Sequence, residues 1–160
     1  MIAAFSFTAM GQKGKAKVRY GKVCGDPTVK CRGWDKPDDQ PYELGFDMGK
    51  NLVIYESEQF YGIVLKSVKL KDFGDCQKPS FKESERAKIQ MDFEHNKVFM
   101  LNCFESGSNY YTGVSDKMAF VGVYAGRTLA EASKFLATVQ GLNKYPGIRL
   151  RKMRIGINGT

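Results

Sequence analysis

The sequence predicts an α+β protein, mainly antiparallel β-sheet of about seven to nine strands, with one C-terminal amphipathic helix over residues 128–140 packed on the sheet. Three observations support this fold class. Short apolar or alternating runs recur between glycine, proline and asparagine residues, which is typical of strands. One stretch has apolar residues at spacings of three and four, as an amphipathic helix does. One run is apolar on both strand faces and needs a second layer to cover it.

The clearest strand pattern covers residues 87–104, which predict a β-hairpin. Apolar and polar residues alternate in the first arm, AKIQMDFE, so that one strand face is apolar. His95 and Asn96 form the expected turn, because asparagine tolerates the positive φ of tight hairpin turns. The return arm, residues 98–104, is apolar at nearly every position. We therefore expect a central strand whose two faces are both covered.

Other apolar runs predict the remaining strands of the sheet. They lie at residues 42–47, 51–55, 60–70, 118–124 and 148–157. In the last of these, the apolar phase shifts between Leu150 and Met153, which indicates a β-bulge. Because a helix separates the last two strands, a right-handed crossover would make them parallel.

Residues 128–140 carry the sequence features of a helix. Thr128 and Glu131 have the spacing of a capping box, in which each side chain accepts a hydrogen bond from a backbone N–H. The apolar stripe that follows consists of Leu129, Ala132, Phe135, Leu136 and Val139. Gly141 lies where a helix C-cap commonly falls. This helix is expected to cover one face of the return arm.

Length and composition predict a single globular domain over residues 12–160. A chain of 160 residues, 42% of them hydrophobic, is long enough to bury one core. Residues 1–11 are uncharged and rich in small and apolar residues. They are either the remnant of a secretory signal peptide without its basic region or a first strand. No run approaches the roughly 20 apolar residues of a membrane helix, so no membrane span is expected.

The four cysteines, Cys24, Cys31, Cys76 and Cys103, allow two interpretations. Cys24 and Cys31 enclose the turn sequence Gly-Asp-Pro-Thr, so a short loop could join them in a disulfide. Cys76 and Cys103 would then form a second one. Four free thiols, compatible with a cytoplasmic protein, are the alternative, because free cysteine packs as a small apolar residue. Two disulfides together with a signal remnant favour a periplasmic or secreted protein.

A net charge of +8 favours a partner that carries acidic groups, either another protein or a nucleic acid. Two predicted strands concentrate this charge. The first contains Lys13, Lys15, Lys17 and Arg19, and the second contains Arg149, Arg151 and Arg154. Both patterns suit an anion-binding surface. Both also suit a solvated edge strand, where lysine discourages aggregation.

Two predicted loops have the composition of a binding surface. Residues 25–41 include Trp34, which is either a contact anchor or a lid folded on the core. Residues 106–116 are rich in serine, glycine and asparagine and present Tyr110 and Tyr111, which we expect to be exposed. That composition occurs in binding surfaces and equally in ordinary loops.

Motifs for catalysis and for metal or cofactor binding are missing from the sequence. His95 is the only histidine, and a hairpin tip does not place it in the packed cleft that a catalytic triad requires. The cysteine spacing does not match a zinc site, and the aspartates of residues 35–39 do not match a calcium loop. Dinucleotide, P-loop and zinc-protease motifs are also missing. We expect neither a cofactor nor a metal.

The favoured function is therefore a non-enzymatic exported binding module that recognises another macromolecule through loops 25–41 and 106–116. An inhibitor or an immunity-type protein would be a concrete form of it. The alternative is a basic nucleic-acid-binding protein that uses strands 13–19 and 149–154, with tyrosines as stacking platforms. A hydrolase that uses two acidic residues ranks third.

Overall fold

The computed structural model of the protein describes residues 19–31, 42–47, 56–70, 78–102 and 109–157. Within these ranges lie eight strands and two helices. The strands are β1 (Lys22–Val23), β2 (Phe46–Asp47), β3 (Phe60–Lys69), β4 (Val98–Leu101), β5 (Asn109–Tyr111), β6 (Met118–Gly126), β7 (Arg149–Met153) and β8 (Ile155–Ile157). The helices are α1 (Glu83–Gln90) and α2 (Leu129–Gly141). The α+β class with mostly antiparallel strands is confirmed.

Four strands form the central sheet in the order β4, β6, β3, β7. β3 is antiparallel to both of its neighbours, β6 and β7. Consequently β6 and β7 run parallel to each other, as expected for two strands joined through α2. Neither helix of the described residues is both long and apolar enough to cross a membrane.

A helix-side core fills one face of this sheet. α1 and α2 bury apolar side chains there because their inward residues recur at helical spacing. The fully or nearly fully buried members from the sheet and helices include Ile63, Val98, Met100, Val121, Val123, Ile89, Ala132 and Val139. α2 begins with the predicted capping box, since Thr128 accepts from the Glu131 N–H and Glu131 accepts from the Thr128 N–H.

A second core, on the opposite face, lies beneath a covering layer of short strands. β1 pairs with β2 and β5 pairs with β8. Residues 56–57 join these pairs through the bridges Gly21–Ser57 and Glu56–Gly156. The buried side chains of this aromatic core include Phe46, Phe60, Phe99, Phe120, Tyr111, Met153 and Ile155. The return arm of the predicted hairpin, now β4, is thus covered on both faces, because Val98 and Met100 face the helix side and Phe99 and Leu101 face the aromatic core. The helix that packs on β4 is α1 and not, as the sequence predicts, α2, since α2 lies against β6 and β3.

The first arm of the predicted hairpin is wrong, because residues 83–90 form α1. All residues of its sequence ESERAKIQ except serine and isoleucine are strong helix formers, with two glutamates in the first turn and Lys88 in the last. Ile89 and Phe93 are four residues apart and both buried, whereas Met91 between them is 85% exposed. The apparent alternation therefore contained a buried pair four residues apart that spans the end of α1, and α2 is not the only helix. His95 and Asn96 lie in the connection from α1 to β4.

Among the strands that the structure describes, β4 is at the edge of the central sheet and not in its centre. Its outward backbone groups are bonded to other segments, which explains how an edge strand can be so apolar. The Met100 N–H donates to the Tyr42 carbonyl at 2.9 Å, and the Val98 N–H donates to Gln90 Oε1 at 2.8 Å. Backbone groups of an edge strand that are already hydrogen-bonded are not available to pair with a strand of another chain.

The other predicted strands differ from the structure in their extent. β3 and β6 confirm the runs 60–70 and 118–124, but only Phe46–Asp47 of residues 42–47 is a strand. The expected bulge between Leu150 and Met153 is wrong, since β7 pairs with β3 in an unbroken register. The chain bends at Arg154 instead, where β7 ends and β8 begins. The predicted strand 51–55 lies outside the described residues.

Candidate functional site

Cys24 and Cys31 form the predicted disulfide, with 5.6 Å between their Cα atoms. The bond closes a loop over residues 25–30, directly after β1. We call this segment, with its two cysteines, the disulfide loop. Cys76 and Cys103 lie outside the described residues, so their pairing stays a prediction.

Hydrogen bonds within the disulfide loop hold its shape. Asp26 Oδ1 accepts from the backbone N–H of Thr28 at 2.8 Å and from the Thr28 hydroxyl at 2.6 Å. The Val29 N–H donates to the Asp26 carbonyl at 3.3 Å. The hydroxyl of Thr28, helped by the nearby His95, lowers the pKa of the Asp26 carboxyl. Asp26 therefore accepts these bonds as a carboxylate at neutral pH.

The base of the disulfide loop is fixed to the sheets. The Gly25 carbonyl accepts from the Lys97 N–H at 2.7 Å, and the Cys24 N–H donates to the Gly45 carbonyl at 2.9 Å. Gly25 lies so close to the ring of Tyr124 that a Cβ atom there would be 2.3 Å from a ring carbon. Only glycine permits this approach. The tip is open to solvent by contrast, with Val29 65% exposed.

A cleft of about 480 Å³ lies beside the disulfide loop. Tyr124 and Arg127 line its wall, and Lys22 and Lys30 add two further cations. Arg127 forms an ion pair with Glu58, with 3.0 Å between Nε and Oε1. Burial raises the pKa of the Tyr124 hydroxyl. Two aspartates also line the cleft, so it carries charges of both signs and can hold polar groups of a partner.

The basic residues named from the sequence do not share one environment. Arg149 and Arg151 are exposed and alternate along β7, so they lie on the same face of that strand. Arg154 is committed elsewhere: its Nη1 donates to the Ser57 carbonyl at 2.9 Å, and its guanidinium lies 4.1 Å from the centre of the Tyr20 ring. Arg19 is exposed. Lys13, Lys15, Lys17 and Trp34 lie outside the described residues.

The expected exposure of Tyr111 is wrong, because residues 109–111 form β5 and its ring lies in the aromatic core. The ring centroids of Tyr111 and Phe99 are 5.1 Å apart. Burial raises the pKa of the Tyr111 hydroxyl well above its usual range. Tyr110 is half-buried and donates from its hydroxyl to Glu56 Oε1 at 2.7 Å. Residues 109–111 of the predicted loop 106–116 therefore form a strand. Within the described part of that loop, the exposed residues are 112–113 and 115–116.

Sequence reasoning missed a buried polar cluster made of Glu43, Asn109 and Lys97. Asn109 Nδ2 donates to Glu43 Oε2 at 3.1 Å, and Glu43 is 8% exposed. Loss of solvent raises the pKa of Glu43 and lowers that of Lys97. A glutamate followed by apolar residues was the only local signal, since its partner Asn109 is 66 positions away.

His95 does not meet a nucleophile within the described part of the chain. Its two nitrogens face carboxylates, with Nδ1 3.5 Å from Asp26 and Nε2 3.8 Å from Glu94. Its side chain is exposed, as expected for a turn. The described ranges also contain no cluster of three or more histidine, cysteine, aspartate or glutamate residues that could hold a metal ion.

A scan against protein-family models and searches of the curated proteins and of the solved structures found no match to this chain. The candidate site is therefore described by its geometry: a covalently closed loop with a fixed base and an exposed tip, beside a cleft lined by charged residues of both signs.

Proposed function

We propose that the protein is a non-enzymatic binding module that recognises another protein through the disulfide loop. The observation that carries this proposal is the contrast within the loop between a fixed base and an exposed tip. Val29 and Lys30 are presented to solvent by a disulfide and an Asp26-centred turn. A loop that is already ordered loses less conformational freedom on binding, so more of its contact energy appears as affinity.

An apolar side chain held at an exposed tip suits insertion into a partner's pocket. Val29 provides that side chain, and the neighbouring cleft offers charged groups of both signs to polar groups at the rim of the interface. Inhibitors and immunity-type proteins work by such blocking contacts, and we propose this as the concrete form of the function. The remaining residues of loop 25–41 lie outside the described ranges, and their part in the interface stays a prediction.

An oxidising compartment is the proposed location, either the periplasm or the extracellular space. The disulfide between Cys24 and Cys31 supports it, because such bonds persist outside the reducing cytosol. Alkylation of protein purified without reductant, followed by mass measurement, tests it. We expect Cys24 and Cys31 to resist alkylation until reductant is added. Free thiols at both positions would contradict the proposed location.

The binding proposal is tested by comparing two variants that each place a charge at an exposed apolar residue. Immobilised wild-type protein is exposed to periplasmic and secreted fractions of the source organism. We expect Val29→Asp to lose a retained protein, and Leu129→Asp, on α2, to keep it. Reduction of the disulfide should also release that protein. A column that retains nothing, or that retains the same protein with Val29→Asp, contradicts the proposal.

Nucleic-acid binding is the second candidate, because Arg149 and Arg151 share a face and have no carboxylate partner among the described residues. Arg154 does not support this candidate, because its guanidinium already donates to the Ser57 carbonyl. The test is binding of a labelled single-stranded oligonucleotide at two salt concentrations. Electrostatic binding must weaken steeply as salt rises, and no binding at low salt removes this candidate.

A further inference from the structure

The outer side of β3 is only partly covered by β7. β7 pairs with β3 from Phe60 to Val64, whereas β6 pairs with it as far as Lys69. Beyond Val64, no strand of the described residues lies on the outer side of β3. The last four residues of β3, 66–69, are all exposed. We call this stretch the open edge.

The backbone groups of the open edge can be assigned to its two sides. The Leu70 N–H donates to the Lys117 carbonyl at 2.9 Å, so Leu70 faces the β6 side. In an antiparallel strand the N–H and C=O of one residue point to the same side, and those of the next residue point to the other side. The backbone groups of Ser67 and Lys69 therefore point outward, away from β6. These are the donors and acceptors that an additional strand would use.

A cleft of about 460 Å³ lies along the open edge. The connection from α2 to β7 forms one wall, with Tyr145, Pro146 and Gly147, and Ser67 belongs to the opposite wall. This connection is anchored, because the Tyr145 hydroxyl donates to Asp92 Oδ2 at 2.6 Å and Lys144 Nζ lies 2.5 Å from Asp92 Oδ1. An added strand would therefore continue the row that β7 occupies, beside a fixed wall.

The charges around the open edge are positive. Lys69 and Arg149 are exposed and have no carboxylate partner among the described residues. Lys66 is bonded to Glu85 on α1, with 2.6 Å between Nζ and Oε1. Lys66 and Lys69 lie on opposite faces of the sheet, since they pair with Val121 and Met118. An incoming strand therefore meets the unpaired Lys69 on one face of the sheet and the ion pair of Lys66 with Glu85 on the other.

We propose that the open edge accepts an extended acidic segment of a partner protein as an additional β-strand. The backbone of Ser67 and Lys69 would bond to the segment, and Lys69 and Arg149 would meet its carboxylates. Lys69 and Arg149 also disfavour pairing with a second copy of this edge, because like charges would then face each other. This site is separate from the disulfide loop and does not depend on the function proposed for that loop.

The probe is a short fluorescein-labelled peptide of alternating glutamate and threonine, followed by fluorescence anisotropy. We expect saturable binding. In the NMR spectrum of the isotope-labelled protein, the amide resonances of Ser67 and Lys69 should shift when the peptide is added. A peptide of alternating lysine and threonine should not bind. The same acidic peptide with N-methyl groups on alternate residues keeps its charge but cannot form the ladder, and it should not bind either. Equal binding of the N-methylated peptide would overturn strand addition.

Matched charge reversals locate the site. We expect Lys69→Glu and Arg149→Glu each to weaken peptide binding on the order of tenfold. Lys134→Glu, an exposed position on α2, makes the same change in net charge and should leave binding unchanged. An equal loss with Lys134→Glu would show that only net charge matters and would overturn the proposal. So would complete displacement of the peptide by a single-stranded oligonucleotide, since that result would assign the edge to nucleic acid.

Discussion

At the scale of single residues, burial shifts the pKa values in the polar cluster of Glu43, Asn109 and Lys97. Glu43 is nearly without solvent, and this raises its pKa although Asn109 and Lys97 favour its ionised form. Lys97 also loses solvent and lies near Arg86, and both effects lower its pKa. The cluster is therefore sensitive to pH in a way that exposed carboxylates are not.

Glu43→Gln should stabilise the protein at neutral pH. A carboxyl whose pKa is higher in the folded state penalises folding once it ionises, so the penalty is absent below the ordinary glutamate pKa and complete above the raised one. Glutamine can still accept the Asn109 hydrogen bond but does not ionise. We expect the melting temperature of the variant to exceed that of wild type by a margin that grows between acidic and neutral pH. Thermal melts at several pH values measure this.

The control for this prediction is Glu94→Gln, at an exposed turn position. It should leave the melting temperature nearly unchanged across the same pH range. A margin for Glu43→Gln that does not vary with pH would contradict the assignment of a desolvated carboxyl.

At the scale of elements, the two helices show what sequence patterns can and cannot predict. α2 has a capping box, so its start follows from the sequence, whereas its C-cap is Leu142 and not the predicted Gly141, which is the last residue of the helix. The N-cap of α1, Lys82, makes no side-chain cap, so the two glutamates of the first turn are the local signal for its start. Its eight residues were too few to separate a helical period from a strand period.

The candidate site also has one part that the sequence predicts and one part that it does not. Closure of the disulfide loop follows from two cysteines around a turn sequence, which is local information. The seating of Gly25 against Tyr124 and the burial of Tyr111 depend on partners far along the chain. Composition predicted an exposed tyrosine loop, but the pairing of β5 with β8 determines where Tyr111 points. The sequence therefore predicts the loop but not the surface on which it rests.

Thr128→Ala should destabilise the protein by about 1 kcal/mol, because it removes the acceptor for the Glu131 N–H at the start of α2. Urea denaturation measures the loss. Thr138→Ala is the matched control, since its hydroxyl bonds only to the Lys134 carbonyl of the preceding turn, at 3.4 Å. Alanine favours a helix interior, so this variant should be neutral or slightly more stable. Equal losses in both variants would contradict the capping role.

At the scale of the whole molecule, β4 lies between the helix-side core and the aromatic core. Adjacent residues of this one strand belong to different cores: Phe99 to the aromatic core and Met100 to the helix-side core. The two cores share the backbone of a single sheet. We therefore expect them to unfold together as one cooperative unit.

Phe99→Ala and Met100→Ala test this expectation. Truncation of a buried side chain of this size costs about 2–5 kcal/mol. Each variant should unfold in one transition whose midpoint lies at a lower denaturant concentration than that of wild type. Within each variant, the midpoints measured by far-ultraviolet and near-ultraviolet circular dichroism should coincide. Non-coincident transitions in Phe99→Ala, with α-helical signal surviving the loss of aromatic signal, would show instead that the covering layer unfolds alone.

The bend at Arg154, where one continuous stretch of chain leaves the central sheet and enters the covering layer, sets an order on folding. Ile155 donates its N–H to Ser57 Oγ across 98 positions of sequence. Contacts between residues so far apart in sequence form slowly, because a long loop must close first. The covering layer cannot close until residue 157 has left the ribosome, whereas Cys24 and Cys31, seven positions apart, can meet much earlier. The disulfide can thus be in place before the layer that holds its loop is complete.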